Sequence, residues 1–235
     1  MTDTRRAFHA TLDDIMRDIV RLAAHVSEAL PRATEALLAN DSETSQQIID
    51  SDDVLDDLAV EIEERCYSSL ALQQPVATDL RAIICAIWLV SEIERSGDLV
   101  VNICKAQQRI RGVELPPAVR GHLQQMDEHA SELLRECMDA YVEGNADLAA
   151  ALDALDDELD QLHADYIQEV LTWAGGGDIQ AAVQMALIGR YYERIGDHAV
   201  NVGERVRYMV EGWLPEHALH AEASTSEPEA HGTPA

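Results

Sequence analysis

A chain of 235 residues with 44 acidic and 17 basic side chains carries a formal charge of −27. That balance argues against nucleic-acid binding, because a phosphate backbone needs a positive footprint. Apolar residues make up 47% and aromatics only 4%, an aliphatic mix that favours helix bundles over sandwiches and barrels.

The longest apolar run, "AIICAIWLV" at 82–90, falls well short of the ~20 residues that span a bilayer. An anionic membrane surface would also repel so acidic a chain. The N-terminal stretch has no signal-type apolar core. Cys66, Cys85, Cys104 and Cys137 lie singly among apolar residues and read as buried thiols of a reducing compartment. These features predict a soluble, cytoplasmic protein with no membrane insertion. Most of the acidic excess is expected to be a solvated surface.

Helical spacing of apolar residues begins near the start of the chain. Phe8, Leu12, Ile15, Ile19, Leu22, Val26, Leu30 and Ala33 recur three or four apart, in a first helix that Pro31 is expected to kink or divide. "NDSE" at 40–43 interrupts the pattern, with Asp41 or Ser42 placed to cap the next helix. This second helix should cover about 42–72, with Ile48, Leu55, Leu58, Ile62, Cys66 and Leu70 inward. "QQPVATD" forms a turn, and Asp79 is a cap or first-turn acid for a third helix. That helix carries Leu80, Ile84, Ile87 and Val90 and ends near 111. Gly112 and the prolines of "RGVELPP" mark the boundary between halves.

The second half repeats the plan, with helices over about 117–143, 146–173 and 178–211. Asp178 occupies the register of Asp79, and Gly212 and Pro215 stop the last helix. The predicted fold is therefore all-α: two tandem, sequence-related antiparallel three-helix bundles, six helices in all. Their expected extents are 5–112 and 116–212, followed by an acidic tail, 215–235, expected to be disordered.

The repeat is sharpest in two short stretches. "ERSGDLVVN" starts at Glu94, and "ERIGDHAVN" starts 99 positions later at Glu193. Steps of four keep Glu94, Asp98 and Asn102 in one slanting row along a helix, and likewise Glu193, Asp197 and Asn201. Like charges four apart repel, and burial without partners costs far more. A positive partner is therefore expected. Arginine is one candidate, from Arg81, Arg95, Arg190 or Arg194. A hard cation such as Mg²⁺, Mn²⁺ or iron is the other, because every donor is oxygen.

The middle helices add Asp52 and Asp56 in "DDVLDDL", and Asp156 and Asp160 in "DDELDQL". Asp-rich helix starts are common and favoured by the macrodipole. In an antiparallel bundle, however, these acids could face the rows of the third helices, giving one polynuclear site per half. Asn102 and Asn201 would then ligate through oxygen or orient a carboxylate. Gly97 and Gly196 each cost a helix about 1 kcal/mol, which calls for close helix approach or room beside an ion. His198, next to Asp197, is expected at the surface or in a core polar contact. Tyr191 and Tyr192 read as packing residues, and Trp88 as an outward ring suited to protein contact.

On these residues the sequence resembles the PhoU family. The two Glu-Arg-x-Gly-Asp-x-x-x-Asn rows match its repeated acidic motif, and "QQPVATDLR" at 73–81 is similar to the segment before its third helix. The likeness covers about residues 5–212. It implies two similar three-helix bundles and multinuclear clusters of divalent or trivalent metal ions, among Fe, Mn, Mg and Zn. The ligands would be Glu94, Asp98, Glu193 and Asp197, with Asp52, Asp56, Asp156 and Asp160. It further implies a non-enzymatic regulator that restrains high-affinity phosphate import and quiets phosphate-starvation signalling. The implied partners are the ATPase subunit of a phosphate ABC importer and a phosphate-sensing histidine kinase, and a homodimer is left open. The second copy departs at "AGGGDIQ", where Gly176 and Gln180 replace the proline segment and Arg81.

Two other readings remain in play. A carboxylate-bridged di-iron oxidase would need a Glu-x-x-His on each of two helices, which only Asp160 and His163 approach. A metal-free helical scaffold would need no ion at all.

Overall fold

The computed structural model describes residues 2–174 and 179–212. Asp178 with the glycines before it, and the tail from 213 onward, lie outside the described residues. Among the described residues the chain forms helices and no strand: α1 (Thr2–Ala39), α2 (Ser42–Asp50), α3 (Asp52–Gln73), α4 (Thr78–Arg109), α5 (Pro117–Glu143), α6 (Ala146–Ala174) and α7 (Ile179–Glu211). None is long and apolar enough to cross a membrane.

Two local expectations need correction. Pro31 neither divides nor ends α1, which runs through it as one helix to Ala39. Pro31 forfeits a single ladder bond at a half-buried position, and the apolar stripe continues on both sides. The second helix, expected whole, is broken at Ser51. There the backbone N–H turns back to Gln47 O and Ile48 O, at 3.1 and 3.2 Å, and the hydroxyl donates to Ile48 O at 2.8 Å. The break puts Asp52 and Asp53 in the first turn of α3, where the helix dipole favours carboxylates. In the second half α6 passes unbroken through the corresponding region, which leaves Asp156 mid-helix.

At the corners, Asp41 caps the second helix as expected, and other residues close the helix ends. Asn40 ends α1 with φ 57°, and the Asp41 carboxylate accepts from Glu43 N and Thr44 N at 3.0 and 3.1 Å to cap α2. Gly144 ends α5 with φ 59°, and Asn145 Oδ1 accepts from Leu148 N at 3.1 Å to start α6. Pro117 opens α5 in the first turn, where a missing N–H costs nothing.

Neighbouring helices pack antiparallel. Gly97 of α4 lies on Leu55 of α3, and Gly196 of α7 lies on Asp156 and Leu159 of α6. The halves meet along α4 and α7, also antiparallel. Arg81 Nε donates to Met209 O at 3.1 Å near one end, and Arg109 Nη1 donates to Gln184 Oε1 at 3.3 Å near the other. A second seam joins α1 to α5, where Arg120 Nη1 donates to Leu38 O at 2.7 Å. One apolar core runs through both halves, from Ile15, Ile19 and Leu22 to Ile188, Ile195 and Val206. All four cysteines are buried and free.

The inward face of α4 differs from expectation. Ile83, Ala86, Leu89, Val90 and Ile93 are buried, whereas Leu80, Ile84 and Ile87 are only half-buried. Pressed by α1, α2, α3 and α7, α4 buries more than one face, so a single stripe does not describe it.

Candidate functional site

In the first half, the α3 and α4 carboxylates converge. Asp52, Asp56, Glu94 and Asp98 lie close enough to disturb one another. Burial raises the Asp52 carboxyl, and Asp56 and Asp98 add to it. Burial also raises Asp56, reinforced by Asp98. Glu94 is raised by burial and then by Asp98 and Asp56. The closeness follows from Gly97, since a Cβ there would sit 3.3 Å from both Leu55 methyl groups. No ion pair reaches these four acids among the described residues. Asp56, Glu63, Ser91 and Glu94 border an adjoining cleft of about 350 Å³.

The second half brings Asp156, Asp160 and Asp197 together in the same manner. Burial pushes the Asp156 carboxyl up to about 6, with Asp160 and Asp197 contributing. α6 and α7 approach more tightly than α3 and α4: a Cβ at Gly196 would run into Asp156 Oδ1 and come within 2.7 Å of Leu159 Cδ2. Glu193 is only 9% exposed. Asp156 Oδ1 and Glu193 Oε2 are buried without a hydrogen-bond partner. Of the four candidate arginines, Arg190 alone pairs with a row among the described residues. Its guanidinium holds Glu193, and Nη2 lies 3.9 Å from Asp197 Oδ2. Arg95 turns to Glu92 at 3.8 Å, Arg81 goes to Met209 O, and Arg194 is exposed.

The two asparagines part company. Asn201 points at the seam between the halves, where its Nδ2 donates to Glu92 Oε2 at 3.0 Å. His198 Nδ1 meets the same oxygen at 2.6 Å, so its place is a core polar contact rather than the acid row. Burial pushes the Glu92 carboxyl up, but the hydrogen bonds from His198 and Asn201 outweigh it and hold it below its ordinary value. Asn102 is half-buried. Sequence reasoning missed Glu92. The available signal was a carboxylate between Val90 and Ile93, just past the longest apolar run of the chain. Trp88 is 46% exposed as expected, but the Arg205 guanidinium lies 4.3 Å from its ring centre.

The residues fit a hard cation in donor chemistry. Each half offers an all-oxygen carboxylate set, and in the second half two buried oxygens lack any partner. As the side chains stand, no three His, Cys, Asp or Glu among the described residues surround one point. A di-iron oxidase set is not assembled: His163 is half-buried, its imidazole pKa is lowered by burial and then by Arg190, and Ala59 stands at its counterpart in α3.

The chain is similar to known proteins over most of its length. The PhoU domain pattern matches twice, at residues 19–107 and 123–206. A protein of Mycobacterium tuberculosis, "Phosphate-specific transport system accessory protein PhoU homolog 2", is 34% identical over 212 residues, covering 90% of this chain and all of that one. A Clostridium acetobutylicum PhoU homolog is 32% identical, covering 89% and 96%. The crystal structure of PhoU from Pseudomonas aeruginosa superposes with a TM-score of 0.83 at 28% identity, over 88% of this chain and all of that one. The matched pattern falls once on each half, around its own acid row, and this chain belongs to the PhoU family.

Proposed function

We propose that this protein is an accessory regulator of a phosphate-specific transport system, a cytoplasmic adaptor rather than an enzyme. The observation that carries the reading is the match, over 90% and 89% of this chain, to relatives bearing that name, with the family pattern falling once on each half. In this reading it restrains high-affinity import through the importer's ATPase subunit and quiets a phosphate-sensing histidine kinase. The decisive measurement is phosphate uptake in phosphate-replete cells lacking the protein. Uptake should rise, and the wild-type chain should restore it. Unchanged uptake, with no binding of the purified protein to the ATPase subunit, would overturn the reading.

Cation binding at the acid rows is part of the proposal. Asp52, Asp56, Glu94 and Asp98 would hold ions in the first half, and Asp156, Asp160, Glu193 and Asp197 in the second. A bound cation would supply the positive charge that offsets their mutual repulsion. The chain itself holds the carboxylates on rigid helices, brought close by Gly97 and Gly196. Support comes from the raised carboxyl groups in both rows and the orphaned oxygens of Asp156 and Glu193. Metal analysis of protein purified without chelator, compared with an Asp98→Asn, Asp197→Asn variant, tests this part. Equal metal content in both would remove the support.

A further inference from the structure

The two acid rows share a register but not a neighbour. Arg190 in the second copy stands where Ser91 stands in the first, both three positions before the glutamate. Arg190 pairs with Glu193 and approaches Asp197. Ser91 carries no charge, and its side of the first row is the open cleft bordered by Asp56, Glu63 and Glu94. The nearest positive influences there are weaker: Arg95 acts on Glu94 and Lys105 on Asp52 only through space.

We infer that Arg190 is a built-in counter-cation that latches the second acid row, so that the two halves take up metal unequally. This rests on the reading that the rows bind cations. Arginine keeps its charge at any physiological pH and presents a fork matched to carboxylates. It is tethered one helical turn from Glu193 and so competes at high effective concentration. An ion entering the second row meets a guanidinium already held on Glu193 and near Asp197, whose charge opposes it. An ion entering the first row displaces nothing. The first row is the readily filled site, and the second fills more readily when Arg190 swings out, which its half-exposed side chain permits.

The test is Mn²⁺ binding to the chelator-stripped full chain, by calorimetry and equilibrium dialysis. Wild-type protein should show a tight class of sites that Asp98→Asn abolishes and Asp197→Asn leaves intact. Arg190→Ser should tighten binding at the second row by about tenfold or more, and adding Asp197→Asn should remove that gain. Ser91→Arg, made on the open cleft, should weaken the first row by a similar factor and serves should Arg190→Ser fold poorly. Equal filling of both rows in wild type, or unchanged Mn²⁺ affinity in Arg190→Ser and Ser91→Arg, would overturn the inference while leaving cation binding intact. No Mn²⁺ uptake by wild type or either variant would overturn the cation reading and the latch with it.

Discussion

Gly97 and Gly196 hold the same place in the two copies, yet only one is sterically indispensable. A methyl group at Gly196 would strike Asp156 Oδ1 and crowd Leu159 Cδ2, both on the facing helix. Gly196→Ala should cost about 1–3 kcal/mol by overpacking. At Gly97 the added carbon meets the Leu55 methyl groups at 3.3 Å and Val26 Cγ2 at 3.6 Å. Its gain in helix propensity, about 1 kcal/mol, should leave Gly97→Ala near neutral. Urea denaturation of both variants checks the contrast, and equal losses would contradict it. Glu92 offers a second residue-scale test. Glu92→Ala leaves His198 Nδ1 and Asn201 Nδ2 without their buried acceptor, and should cost about 1–3 kcal/mol. Both glycines stood out in the sequence because a helix seldom tolerates them beside charged rows. Glu92 did not, because its partners lie 106 and 109 residues away.

Between elements, α1, α5 and α7 share a buried polar knot. Thr34 Oγ1 lies 2.5 Å from Tyr192 OH, 2.9 Å from Asp127 Oδ1 and 3.1 Å from Leu30 O. One hydroxyl has one hydrogen, so Thr34 donates to only one of these three oxygens. Burial pushes the Asp127 carboxyl up to about 6, and the Thr34 hydrogen bond only partly offsets it. A raised folded value means that the folded state holds its proton more tightly than the unfolded chain. Stability from this group therefore falls as pH rises from about 4 to about 6. Asp127→Asn keeps an oxygen for Thr34 and has no charge to bury. Its melting temperature should exceed wild type at pH 7.5, with the advantage fading toward pH 4. An advantage independent of pH would rule out titration of Asp127 as its source. The Ser51 break acts at the same scale. It gives Asp52 a helix start that Asp156 lacks.

Across the whole molecule, carboxyl groups raised by burial and crowding include Asp52, Asp56, Glu94, Asp127 and Asp156. Asp41 and Glu92 are lowered, and their contribution is lost only as pH falls below the usual carboxylate range. His163, whose imidazole is lowered, pulls the other way, but the five raised carboxyls outweigh it: chelator-treated protein should melt higher at pH 5 than at pH 7.5, and Mn²⁺ should narrow the gap by stabilising the pH 7.5 state. A melting temperature that rises steadily from pH 5 to 7.5 in the stripped protein would contradict this. Free phosphate should not bind the metal-free acid rows, because their charge repels it. Calorimetry on stripped protein checks that expectation.

The all-α class, the repeat, the helix corners at Asn40 and Gly144 and the pairing of acids across helices were readable in the chain alone. Each follows from local spacing: period 3.6 for helices, glycine or asparagine at their ends, and steps of four for the rows. Tertiary structure alone decided that His198 and Asn201 turn to Glu92, and that one core spans both halves. Those outcomes depend on α4 meeting α7 and α1 meeting α5, contacts between residues about 80–160 positions apart. A side chain's partner across such a seam is set by packing geometry rather than by its neighbours in sequence.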